Sequence, residues 1–199
     1  MKISCNDEDI QKAASAINDC AIIVFPTDTV YGLGCNPYNH DAVLSLYEIK
    51  KREKTKPLPV IGYSKEELEK IAEFNPLEEK IAEKFWPGAI TLVLKVKDKE
   101  IQKSLSLSEK IAVRVPNNKC ALALLKECKL LVGTSANISD TKPFSDPKEC
   151  NENLIGYDLF MDGGIILSKG ESTVIEIKNN DVKILRKGSI SEKMIKELN

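Results

Sequence analysis

Histidine is nearly missing from this chain: His40 is the only one in 199 residues. Multi-histidine metal sites are thereby excluded, and one residue is left that could act as a catalytic imidazole. None of the six cysteines (Cys5, Cys20, Cys35, Cys120, Cys128 and Cys150) is spaced as C-x-x-C, which removes zinc-ribbon and thioredoxin-type readings. They are too sparse for a disulfide scaffold and are expected to be mostly reduced and packed as small apolar groups in a cytoplasmic protein. No apolar run approaches the ~18 residues that span a bilayer, so no membrane partner is expected. The opening MKISCNDEDI carries acid where a signal peptide needs an apolar stretch. An excess of either charge is lacking too, with 29 Lys plus Arg against 30 Asp plus Glu and a net charge of -1. A bulk polyanion binder is disfavoured, and any attraction to phosphate must be local.

What is present describes one globular domain over residues 1–199, with 42% apolar and 30% charged residues. A chain of this length buries about 70% of its extended surface. There is no repeat and no linker. Helices are expected over 7–19, 41–51, 118–127 and 147–153, and from Ser191, by apolar spacing. Ser64 with Glu67 reads as a capping box, and Asn75-Pro76 with Glu78 opens a helix that Trp86-Pro87-Gly88 breaks. Apolar runs at 21–25, 58–63, 89–96, 111–115, 130–133 and 158–161 read as strands, and 172–177 with 182–186 as a hairpin. Helices and strands alternate early and strands cluster late. The fold class is therefore α/β (α+β), with a mixed parallel and antiparallel sheet.

Five segments carry possible chemistry. Thr27-Asp28-Thr29-Val30-Tyr31-Gly32-Leu33-Gly34 follows an apolar strand, where open α/β sheets place ligands. Its glycines would let backbone approach a ligand, or its Thr and Asp groups would cap a local turn. Lys50 to Lys56 holds five cations and one acid, and Pro57 forces the helix to end before it. Lys50 and Arg52 would converge on one anion if the helix ends near 51; otherwise the run is a solvated helix end. Arg114, inside IAVRV, either faces solvent or sits in a cleft paired with an anion. Ser135 and Asn137 follow LLVG two residues apart, as phosphate or carbonyl donors or as a turn. Ser172-Thr173 and Arg186-Lys187 would be neighbours across the hairpin, or ordinary sheet surface. His40 reads as a surface or capping residue with no catalytic role.

In this order the motifs resemble the YrdC family of threonylcarbamoyl-AMP synthases: PTDTVYGLG at 26–34, Lys50/Arg52 followed by Pro57-Leu58, FWPGAITLVL at 85–94, AVRVP at 112–116, TSAN at 134–137, STV at 172–174 and ILRKG at 184–188. The resemblance implies a twisted mixed sheet flanked by helices, with a concave, positively charged face. It implies condensation of L-threonine, bicarbonate or CO₂, and ATP to threonylcarbamoyl-AMP and pyrophosphate. A partner transferase would then modify adenosine 37 of tRNAs reading ANN codons. Lys50, Arg52, Ser135, Asn137 and Arg186 are implied on ATP, with Lys50 and Arg52 as the catalytic pair. Thr27, Arg114 and Ser172 are implied on L-threonine, with Arg114 on its carboxylate.

The nucleophile would come from the substrate, so no protein nucleophile is needed. Mg²⁺ is expected through ATP rather than at a protein metal site. Asp28 is expected to hydrogen-bond within its loop, and residues 50–56 are a candidate lid over a labile carbamate. The chain departs from the family pattern at Glu53, where proline is usual, and at Asp140, where glycine is usual, with one extra residue before Pro143. It resembles the family's single-domain form. The alternatives are a non-catalytic double-stranded RNA or tRNA-binding module using 50–56, and a carbamoyl-adenylate-forming domain of the hydrogenase-maturation type.

Overall fold

The computed structural model describes residues 1–168, 170–179 and 181–197. The elements in order are β1 (Lys2–Ser4), α1 (Asp7–Asn18), β2 (Ile23–Phe25), β3 (Gly32–Cys35), α2 (His40–Lys50), β4 (Val60–Gly62), α3 (Lys65–Glu69), β5 (Ala72–Glu73), α4 (Pro76–Phe85), β6 (Ile90–Val96), α5 (Lys99–Ser104), β7 (Lys110–Arg114), α6 (Lys119–Cys128), β8 (Leu130–Ser135), α7 (Pro147–Asn153), β9 (Leu159–Asp162), β10 (Thr173–Lys178), β11 (Asp181–Arg186) and α8 (Glu192–Lys196). Among the described residues no helix is long and apolar enough to cross a membrane.

All strands join one mixed sheet in the order β1-β9-β2-β3-β8-β4-β7-β6-β10-β11, with β5 on β6. Pairs such as β4/β7 and β6/β10 are parallel, whereas β3/β8 and β6/β7 are antiparallel. The central strands are buried on both faces, and their side chains alternate between two cores. Ile23, Phe25, Leu131, Leu159 and Met161 pack on one side with Ile10 and Ile17 of α1 and Leu124 of α6. Val24, Leu33, Val60, Val132 and Phe160 pack on the other, with Leu46 of α2 and Ile81 of α4.

Local chemistry sets the helix ends. Asn75 accepts from the Leu77 and Glu78 amides while the Glu78 carboxylate accepts from the Asn75 amide, which closes a capping box. At Ser64 only half of the expected box forms: the hydroxyl accepts from the Glu67 amide at 3.4 Å. Helix α2 stops at Lys50 because Lys51 takes a left-handed conformation (φ 48°). His40 opens that helix behind its cap Asn39, and its Nδ1 lies 2.7 Å from the Ser104 carbonyl.

Most of the cysteines, Cys20, Cys35, Cys128 and Cys150, are free as expected, while Cys5 and Cys120 form a disulfide that the sequence did not show. The pair meets because Cys5 precedes α1, Cys120 lies in the first turn of α6, and α1 packs on α6. The glycines after Tyr31 form β3, where both are closely packed, and Gly32 also lines a cavity on the sheet. A Cβ on Gly34 would lie 2.3 Å from the Val132 carbonyl, and one on Gly32 would lie 2.9 Å from the Phe25 ring.

The disulfide closes a separation of 115 residues. Removing such a crosslink typically costs about 2–5 kcal/mol. Urea unfolding of the Cys5→Ala/Cys120→Ala double variant is expected to show that loss. Wild type in strong reductant should match it, and a midpoint unmoved by reductant would contradict the bridge.

Candidate active site

A cavity of about 330 Å³ opens on the sheet, with Phe25, Ile61, Val93, Ala112 and Val174 among its apolar lining. Its polar wall is set by strand register. On β6, Thr91 pairs with Val174 of β10, and Val174 pairs with Arg186 of β11. Arg114 enters from β7, the strand on the other side of β6. Thr27, Thr29, Arg52, Arg114, Ser135, Ser172 and Arg186 therefore reach one hollow, although they span most of the sequence.

Arg114 sits in the cleft, not in solvent, at 7% exposure. Its Nε donates to the Gly88 carbonyl at 2.8 Å, Nη1 to the Thr29 hydroxyl at 3.1 Å and Nη2 to Asp28 Oδ1 at 2.5 Å. Asp28 also accepts from the Asn117 amide at 3.0 Å, so its carboxylate ties the 27–30 loop to the end of β7. Burial lowers the pKa of Arg114, and Asp28 opposes the fall; a guanidinium stays charged regardless. Two of its five N–H groups remain for a ligand, enough to hold a carboxylate end-on.

Thr27 lines the cavity, but its hydroxyl is used inside the loop. It donates to the Val30 carbonyl at 2.6 Å and accepts from the Thr29 and Val30 amides. The loop is braced by Tyr31, whose hydroxyl donates to the Gly164 carbonyl at 2.8 Å and accepts from the Gly163 amide. Burial pushes the Tyr31 pKa up to about 12. Ser168 adds a bond from its hydroxyl to the Thr29 carbonyl.

Lys50 and Asn137 meet each other behind the wall. Lys50 is 1% exposed. Its Nζ donates to the Ser135 carbonyl at 2.5 Å, the Asn137 carbonyl at 2.8 Å and Asn137 Oδ1 at 3.3 Å, which uses all three ammonium protons. Asn137 in turn donates to the Ile138 and Thr141 carbonyls. Burial, with Arg52 adding to it and Glu171 opposing, brings the Lys50 pKa down to about 8.

The helix ends where convergence of Lys50 and Arg52 required, but the two side chains part. Left-handed Lys51 turns Arg52 along the next loop, where Nε donates to the Lys56 carbonyl at 2.9 Å and Nη2 to the Pro57 carbonyl at 3.2 Å. Lys50 turns inward, whereas Arg52 faces the cavity. Lys56 is reached by Glu53 at 3.5 Å and by Asp140 at 3.8 Å, so the two departures from the family pattern meet on one cation. Asp140 has φ 65°, a left-handed conformation that glycine adopts most easily.

The hairpin ends do meet. Arg186 donates from Nε and Nη2 to the Ser172 carbonyl, from Nη2 to the Ser172 hydroxyl at 2.9 Å and from Nη1 to Glu171 Oε1 at 2.7 Å. The Ser172 hydroxyl also lies 2.9 Å from that of Thr91. Thr91 and Glu171 were missed in the sequence, Glu171 although it adjoins Ser172, and Thr91 because it is hidden inside an apolar strand; Thr29 was named only as part of its segment.

This site and sheet define the Sua5/YciO/YrdC family, to which the chain belongs. The family model, described as "Telomere recombination", matches residues 15–188. The chain is 34% identical over 203 residues to a threonylcarbamoyl-AMP synthase of Bacillus subtilis, covering 98% of this chain and 57% of that protein. It superposes on the crystal structure of P. abyssi Sua5 complexed with L-threonine with a TM-score of 0.92 and 32% identity, over 100% of this chain and 60% of that one. E. coli YciO matches with a TM-score of 0.85 and 26% identity, over 94% of both chains. The chain thus spans somewhat more than half the length of the B. subtilis and P. abyssi proteins.

Removing the Asp28 carboxylate would leave a buried guanidinium unpaired, which costs about 3–5 kcal/mol. Asp28→Ala is expected to lose that much in urea unfolding; a loss below about 1 kcal/mol would place Arg114 in solvent. The unfolded state binds a proton on Lys50 more tightly than the fold does, because the folded pKa lies near 8 and the unfolded one near 10.5. The penalty for burying this charge is thus present below pH 8 and relieved as pH rises towards 10.5. Relative to Lys50→Met, wild type should gain stability across that window; parallel pH profiles would contradict it.

Proposed function

We propose that this chain is an L-threonylcarbamoyladenylate synthase, condensing L-threonine, bicarbonate or CO₂, and ATP with release of pyrophosphate. The observation that carries this reading is the convergence of Arg52, Arg114, Ser135, Ser172 and Arg186 on one cavity. The likeness to P. abyssi Sua5 complexed with L-threonine supports it.

Threonine's amine adds to CO₂ and gives a carbamate, and a carbamate oxygen then attacks the α-phosphorus of ATP. Nothing in this sequence needs a protein nucleophile, so the chain's work is positioning and charge stabilisation. Arg114, fixed by Asp28, Thr29 and the Gly88 carbonyl, would hold the amino-acid carboxylate. Arg52 and Arg186 would take the triphosphate, and Ser135 would donate to it from the turn that Lys50 holds. Lys50 and Asn137 act from behind the wall, by shaping residues 135–137 and by the field of the ammonium. Thr27 shapes its loop, and its contact with threonine runs through the surface it presents to the cavity.

Among the described residues no group of three or more His, Cys, Asp or Glu could hold a metal. Mg²⁺ would arrive on the triphosphate, where it would neutralise phosphate charge chiefly through substrate oxygens and water. The product is labile, so a transferase that moves the threonylcarbamoyl group to adenosine 37 of tRNAs reading ANN codons would consume it, in the cytoplasm. The RNA-binding alternative loses support from the same geometry: within the basic run, Lys50 is buried and Lys56 is engaged by two carboxylates.

Purified protein should release pyrophosphate only when threonine, bicarbonate and Mg-ATP are all present; release without threonine would sink the reading. Arg52→Ala and Arg186→Ala should each lower kcat/KM for ATP by about 10–150-fold, the worth of one charge-assisted contact. Unchanged kinetics in both would remove the nucleotide from this wall.

A further inference from the structure

The cavity wall carries one carboxylate to which the synthase reading gives no role. Glu171 lines the cavity, and its Oε1 accepts from Arg186. Its Oε2 has no hydrogen bond among the described residues, and the side chain is 32% exposed. Arg186 has five N–H groups. Nε and both Nη2 protons go to the Ser172 carbonyl and hydroxyl, and one Nη1 proton goes to Glu171. A single N–H remains for a phosphate.

A triphosphate that uses Arg186 must therefore displace Glu171 from Nη1 or lie beside it. Either way a carboxylate comes to face a polyanion beside Val174 and Leu185, a repulsion that water moderates at this partly exposed place and a cation would cancel. Losing Arg186 leaves Glu171 to water or to a new cation. Magnesium is suited to the place, because it binds through one or two carboxylates together with substrate phosphates and keeps several waters. The field of Glu171 also reaches Lys50 behind the wall, where it opposes that of Arg52.

We propose that Glu171 is the protein's ligand, direct or through one water, for the divalent cation that accompanies the nucleotide, and that it exchanges Arg186 for that cation as the triphosphate binds. This rests on the ATP-using reading above. Before substrate arrives, Glu171 keeps Arg186 extended along Ser172. Afterwards the guanidinium turns to phosphate and the carboxylate to metal, so charge stays balanced on both sides.

The test is calorimetric titration of the full chain with an ATP analogue that has a methylene between the α and β phosphorus atoms, in Mg²⁺ or in EDTA. For wild type, Mg²⁺ should raise affinity about tenfold or more. Glu171→Gln should bind the metal-free analogue at least as tightly as wild type does and gain less than about twofold from Mg²⁺. Glu171→Asp should recover part of the gain. An equal Mg²⁺-dependent gain in wild type and Glu171→Gln would overturn the assignment while leaving the synthase reading in place. Failure of wild type to bind the analogue in either condition would overturn the nucleotide reading itself.

Discussion

The buried ammonium of Lys50 is the constraint on which the nucleotide side of this cavity depends. A charge carried into a protein interior must find partners for every proton, or it neutralises or unfolds its surroundings. Lys50 finds them on two residues of a single turn, Ser135 and Asn137. Its own carbonyl accepts from the Ser139 amide at 2.8 Å, so helix α2 and the turn after β8 are locked in both directions. That lock places Ser135 on the wall and starts the loop that carries Arg52.

The amino-acid side is held by a second buried charge, Arg114, and the two halves are joined by the sheet itself. Thr91 sits between Arg114 on β7 and the Ser172–Arg186 cluster at the entry to β10 and the end of β11. Each cluster balances its guanidinium with a carboxylate, Asp28 for Arg114 and Glu171 for Arg186. The Arg114 donors are therefore aimed before any ligand arrives, which leaves little reorganisation on the amino-acid side at the moment of reaction.

Much of this was legible in the sequence, because strands buried on both faces read as apolar runs and helix caps are local chemistry. The 89–96, 111–115 and 130–133 strands and the 172–186 hairpin follow from such patterns. Strand β3 was not legible: Gly32, Leu33 and Gly34 read as loop, and only packing against Phe25 and Val132 makes glycine the fitting residue there. The disulfide was equally hidden, since Cys5 and Cys120 meet only through the packing of α1 on α6. In the site, residue types at strand ends were readable and their orientation was not. Spacing could bring Lys50 and Arg52 close in sequence. It could not show that left-handed Lys51 sends one inward and the other to the surface of the cavity. Arg114 was ambiguous because its partner, Asp28, lies 86 residues away.

The most direct measurement is a crystal structure of the chain soaked with L-threonine and a non-hydrolysable ATP analogue. The account predicts the amino-acid carboxylate on Arg114, the triphosphate on Arg52 and Arg186, and Lys50 still bound to the 135–137 turn. Ligands lodged elsewhere, for example in the hollow lined by Tyr38, Lys70 and Lys129, with Arg114 and Arg186 untouched, would contradict it.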